Sequence, residues 1–109
     1  MMFKYFKLEI FIPKDRLLQM RECLKKVDAG HLGNYDCALS YSVVKSTWRP
    51  LEGSDPYIGE IGKIHEEEEY KIEVAVEAAK LDETLEAIKE CHPYEEPGIN
   101  VIPLYQIGL

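Results

Sequence analysis

A chain of 109 residues, 46% hydrophobic and 30% charged, has the profile of one globular domain, 1–109, with a single modest core. A formal net charge of −7 sets it against phosphate backbones and anionic lipid, so neither nucleic acid nor a membrane surface is an expected partner. No apolar run approaches the roughly 18 residues of a membrane span. The opening MMFKYFKLEIFIP alternates too regularly for a signal segment, and three cysteines without CxxC spacing read as reduced thiols of a cytoplasmic protein.

The first predicted element is a strand. Phe6, Leu8, Ile10 and Ile12 recur with period two, and Lys7 and Glu9 fill gaps between them, which gives one buried and one wet face. The spacing then turns helical, with Leu17, Met20, Leu24 and Val27 on one stripe after Pro13, and Gly30 predicted as the C-cap. AGHLGNY follows as a junction in which two glycines around His31 permit positive φ and close backbone approach. A second strand is predicted over Tyr35–Val44. From Lys45 to Lys63 the chain carries the only Trp, two Pro and three Gly where a hairpin needs only a few residues, so an ordered arm is expected. That arm lies either over its own domain or against a neighbouring subunit.

HEEEEY, His65–Tyr70, reads as a solvated strand entry that guards against edge pairing. Tyr70, Ile72, Val74 and Val76 alternate as the first strand does. Leu81, Leu85 and Ile88 form a second helical stripe that Pro93 ends, and a last strand is predicted over Ile99–Ile107. The chain therefore repeats at an offset of 64, with Leu8 on Ile72, Ile10 on Val74 and Leu17 on Leu81. Two βαβ units in tandem predict a βαββαβ ferredoxin-like α+β sandwich, an antiparallel sheet with two helices on one face.

Candidate chemistry gathers at the two helix-to-strand junctions. ECHPYEEPG brings Cys91, His92, Tyr94, Glu95 and Glu96 close in sequence, and thiolate, imidazole and carboxylate all hold transition metals. Against that, Cys91 continues the apolar stripe of the second helix, and adjacent carboxylates in extended chain point to opposite sides. The structural alternative is a helix stop in which His92 ties down backbone groups. His31 with Gly33 and Asn34 forms the matching junction, and both junctions are expected at one end of the sheet, where His31, His92 and Glu95 would share a metal or ligand site. His92 with Glu95 as an acid/base pair is the enzymatic alternative, though no nucleophile or cofactor motif accompanies it.

Taken together, GHLGNY, WRPLEGSDPYIGEIGK, EEEY and HPYEEP resemble, in order and spacing, the CutA/PII-like insert domain of the NGG-one-interacting-factor-three (YqfO-like) family, over roughly residues 5 to 105. The resemblance implies a CutA/PII-like fold that self-associates as a homo-oligomer, a trimer before a dimer. It also implies a sensing or regulatory role, with a divalent metal ion or a small anion as candidate ligand. The family's motif positions fall here on Gly30, His31, Gly33, Asn34, Arg49, Pro50, Gly53, Pro56, Gly59, Gly62 and the run His92–Pro97. Larger members carry a dinuclear metal body on flanking segments; this chain lacks those segments, so no catalytic residue carries over. The expectation is a stand-alone, non-enzymatic module in which Trp48, Arg49, Pro50, Tyr57 and Ile58 form an oligomer arm.

Overall fold

A computed structural model describes residues 2–108. Strand β1 (Tyr5–Pro13) leads through a 3₁₀ turn into helix α1 (Leu17–Lys26). Strands β2 (Leu39–Trp48) and β3 (His65–Glu77) follow, then a second 3₁₀ turn, helix α2 (Leu81–Cys91) and strand β4 (Ile99–Leu104). The sheet order is β2-β3-β1-β4, and each neighbouring pair is antiparallel. This is the predicted ferredoxin-like α+β arrangement.

The core follows directly from the two alternating stripes. Leu8, Ile10 and Ile12 of β1 oppose Val74, Ile72 and Tyr70 of β3. Leu8, Ile10, Ile12, Ile72, Val74 and Val76 are buried together with Met20 and Leu24 of α1 and Ile88 of α2. Each such aliphatic side chain contributes about 1.5–3 kcal/mol by leaving water. Among the described residues, the opposite face of the sheet carries no helix.

Glu9 pairs across the sheet with Glu73, its own partner at the repeat offset. A pseudo-twofold axis therefore passes between them. Lys7 answers both carboxylates, at 2.8 Å from Glu73 and 3.4 Å from Glu9, so the like charges share a cation. The Asn100 amide adds a bond to Glu9, and this bond, with the two lysines Lys7 and Lys71, holds the Glu9 carboxyl below its usual range.

Several predicted boundaries move. Helix α1 closes on Asp28, not Gly30: Asp28 takes φ 59°, its N–H reaches the Lys25 carbonyl, and the Ala29 N–H reaches the Leu24 carbonyl. That is a Schellman closure with a non-glycine residue in the left-handed position. Gly30 serves the sheet instead. Its N–H donates to the Ala75 carbonyl, its carbonyl accepts from Ala38, and at φ 79° a Cβ would sit 2.5 Å from the Ala38 oxygen. This anchoring delays β2 to Leu39, and β2 then runs on through Trp48, into the predicted arm. β3 begins earlier than the apolar stripe, at His65, and β4 stops at Leu104, short of the predicted Ile107.

Candidate functional site

The arm, residues 49–64, folds back over the open face of the sheet at the end where α2 hands over to β4. Its shape is set within the arm by the Gly62 N–H donating to the Pro50 carbonyl and by the Ser54 N–H and hydroxyl both donating to the Leu51 carbonyl. At its root the Trp48 indole N–H donates to the Ile58 carbonyl at 3.1 Å, which clamps the two limbs together. Gly59 takes φ 110° there, and a Cβ would press on Pro50 at 3.3 Å and on the Trp48 ring at 3.4 Å.

The other wall is the α2–β4 loop, and His92 shapes it. His92 is buried, its Nε2 lies 2.7 Å from the Phe11 carbonyl, and its Nδ1 accepts the Tyr94 N–H at 3.1 Å. These partners define the tautomer: the proton is on Nε2. Burial pushes the imidazole pKa down, against the opposing pull of the Phe11 carbonyl. His92 is thus a backbone tie, the structural alternative read from the sequence, with both nitrogens engaged. Glu95 turns outward to accept the Asp55 N–H at 2.8 Å and so ties loop to arm. The acid/base pair of His92 with Glu95 is therefore not assembled.

Tyr94 is the centre of the site. Its ring stands 5.8 Å from that of Trp48, 5.9 Å from that of Tyr57 and 4.9 Å from that of His92, each tilted by about half a right angle. Its hydroxyl donates to Glu69 Oε2 at 2.6 Å, and burial followed by this bond raises the phenol pKa above its usual value. Glu69 is only 2% exposed although it belongs to the four-glutamate run. Between these walls lies a cleft of ≈ 880 Å³ bounded by Phe11, Trp48, Arg49, Pro50, Leu51, Tyr57, Ile58, Glu69, Tyr94 and Glu95, among others.

Most of the predicted positions of the arm and of the last junction thus converge. Those of the first junction do not. The His31 ring bonds the Asp28 carboxylate at 2.9 Å and the Gly33 carbonyl at 3.0 Å, and the pairing with Asp28 raises the imidazole pKa. Leu32 and Tyr35 close the small turn that carries Gly33 and Asn34. The junction hangs from Ala75, near the far end of β3, whereas His92 hangs from Phe11, near the end of β1. The expected shared end for His31 and His92 is corrected: β1 and β3 are antiparallel, so their following helices run in opposite senses and deliver the two junctions to opposite ends. The set of His31, His92 and Glu95 is accordingly not brought together. Among the described residues, no three His, Cys, Asp or Glu side chains are grouped to hold a metal ion.

Sequence reasoning missed Glu69. The run His65–Tyr70 was read as solvated, yet alternation places Glu67 and Glu69 on the open face and Glu66 and Glu68 on the other. Glu68 indeed stays wet and pairs with Lys14 at 2.8 Å. The signal for Glu69 was the period-two register running back from Tyr70; what no register supplies is the arm that covers it.

Comparisons with known proteins agree with this architecture. A family model described as CutA1 divalent ion tolerance protein matches residues 60–108. A GTP cyclohydrolase 1 type 2 homolog of Halalkalibacterium halodurans is 38% identical over 103 residues, and one of Bacillus subtilis is 34% identical over 101. These alignments cover 94% and 92% of this chain but only 28% and 27% of the relatives, so the chain spans little more than a quarter of their length. Among solved structures, a Bacillus cereus protein related to NIF3 superposes with a TM-score of 0.83 at 30% identity, over 95% of this chain and 26% of its own. The periplasmic divalent cation tolerance protein CutA of Archaeoglobus fulgidus superposes with a TM-score of 0.71 at 21% identity, over 96% and 87%. By fold the chain is CutA-like, and in sequence it is similar to a segment that makes up about a quarter of the NIF3-related protein and of the GTP cyclohydrolase 1 type 2 homologs.

Proposed function

We propose that this domain is a self-associating, non-catalytic binding module of the cytoplasm whose ligand site is the cleft under the arm. The observation that carries the reading is the cleft itself, in which two loops distant in sequence meet over buried Glu69 and its half-buried partner Tyr94. Sites that take small molecules are concave, mostly apolar and carry a few placed polar groups, and this cleft combines the rings of Phe11, Trp48, Tyr57 and Tyr94 with such groups. Its side chains are positioned for recognition: His92 is spent on backbone and Tyr94 is held protonated, so neither is poised as an acid or base. The three free thiols suit a reducing compartment.

Self-association, with a trimer favoured, is supported by apolar side chains turned outward. Leu51, Ile61 and Ile64 on the arm are 60%, 52% and 77% exposed, and Tyr41 and Val43 are exposed on β2, an edge strand. Edge strands with exposed apolar residues are templates for association. Native mass spectrometry of the protein purified from cells without chelator tests both parts at once. A closed oligomer retaining a small molecule or ion is the expected result; a bare monomer overturns the self-association.

A further inference from the structure

We infer that the cleft recognises an organic cation, an ammonium group on an organic body, seated between the ring faces and the Glu69 carboxylate. This rests on reading the cleft as the ligand site, and names its ligand class.

Three independent features converge on a cation. The first is charge. Glu52, Glu69, Glu95 and Glu96 line the cleft against a single guanidinium, that of Arg49, on a chain whose net charge is already −7. A concave, low-dielectric wall of one sign concentrates counter-ions.

The second is the state of Glu69. A carboxylate 2% exposed needs its oxygens satisfied, and Tyr94 satisfies Oε2. Oε1 takes part in none of the hydrogen bonds found among the described residues. Yet no buried side-chain oxygen or nitrogen among them lacks a partner. The unbonded oxygen is therefore the one that reaches the cleft, where an N–H donor or a cation would meet it.

The third is the rings. Tyr94 stands between Trp48 and Tyr57, tilted 53° and 50° to them, which opens a splayed trio of aromatic faces beside that carboxylate. Aromatic faces attract cations through the ring quadrupole, Trp most strongly. The protein already uses one of these rings so: the Arg16 guanidinium lies 5.7 Å from the centre of Tyr57 and donates to its hydroxyl. A bare metal ion would not use these rings, and an inorganic anion would face four carboxylates. An organic cation uses the carboxylate, the rings and the apolar remainder of the walls together.

The only Trp in the chain lines the cleft, so its fluorescence reports occupancy. The protein is titrated at constant ionic strength with choline and with 3,3-dimethylbutan-1-ol, its uncharged isostere, and separately with inorganic phosphate. Choline is expected to change the Trp48 emission saturably at a concentration at least tenfold below that of the alcohol. Glu69→Gln, which still accepts from Tyr94, is expected to weaken choline at least tenfold. Tyr57→Leu is expected to weaken it several-fold and Tyr57→Phe to leave it unchanged. Equal response to choline and the alcohol, or unchanged choline affinity in folded Glu69→Gln, overturns the cation. Saturation by phosphate instead overturns the cation while leaving the cleft as the site. Silence to all three solutes overturns both.

Discussion

Glu69 and His92 are the two polar side chains on which the cleft is built, and each is held by backbone or a neighbouring ring rather than by a countercharge. His92 bonds the Phe11 carbonyl and the Tyr94 N–H, so His92→Ala strands two backbone groups. Each stranded group costs about 1–3 kcal/mol, and a loss of roughly 2–6 kcal/mol in urea unfolding is expected. The pH dependence follows from the lowered pKa of His92. The unfolded imidazole binds a proton near its ordinary value while the folded one resists, so the contribution is complete above that value and is lost as pH falls through the folded pKa. Unfolding free energy measured from pH 7.5 down to 5 should therefore fall, and fall less steeply in His92→Asn. His31 works in the opposite sense: its raised pKa gives stability that is present below the ordinary value and lost as pH rises through the folded one, but its exposure keeps that small. Gly30 is the other sensitive residue. Gly30→Ala puts a Cβ 2.5 Å from the Ala38 oxygen at positive φ, and a loss of about 1–3 kcal/mol is expected by thermal unfolding.

At the scale of elements, the seam between α1 and α2 is sealed by sulfur. The Cys23 thiol donates to the Ala87 carbonyl at 3.2 Å and the Cys91 thiol to the Gln19 carbonyl at 3.7 Å, each from one helix to the other. Burial, with Cys91 beside it, pushes the Cys23 pKa up to about 11. Only about one thiol in a thousand is then ionised at pH 8, and the thiolate is the reactive form. Iodoacetamide at pH 8, read by peptide mass mapping, should label Cys23 at least tenfold more slowly in the folded protein than in urea; equal rates would contradict the buried seam. The arm is held differently, by the Trp48 indole N–H, the Glu95 tie, the Arg16 bond to the Tyr57 hydroxyl and ring contacts, and its own Pro50 is buried. Trp48 at its root and Tyr57 within it meet Tyr94 of the same chain, so both rings line the cleft. On its outer side Leu51, Ile61 and Ile64 stay exposed.

At the scale of the whole molecule, the proposed self-association would draw on that outer side and the β2 edge, where apolar side chains are exposed. Ile64 is 77% exposed and touches none of the buried core, so Ile64→Asp should leave the circular dichroism and unfolding midpoint of the subunit unchanged. In sedimentation it should shift the protein toward monomer by at least tenfold in dissociation constant, because a desolvated carboxylate is costly in an interface core. An unchanged sedimentation profile would place the contact elsewhere.

The alternating stripes, the two helical stripes and the repeat were determined by sequence alone, since side-chain period and core burial are local consequences of residue order. The convergence of WRP and HPYEEP was visible only as a resemblance in wording, without geometry. Three things waited for the tertiary structure. The opposite placement of His31 and His92 comes from the antiparallel pairing of β1 with β3, a relation between elements rather than a property of either junction. The cap at Asp28 depended on Gly30 being claimed by Ala75. The burial of Glu69 depended on an arm whose path is set by the Trp48 indole bond, by bonds to the Pro50 and Leu51 carbonyls, by the Glu95 tie and by a few glycine dihedrals. Periodicity reports which face a side chain takes, and only the folded chain decides what covers that face.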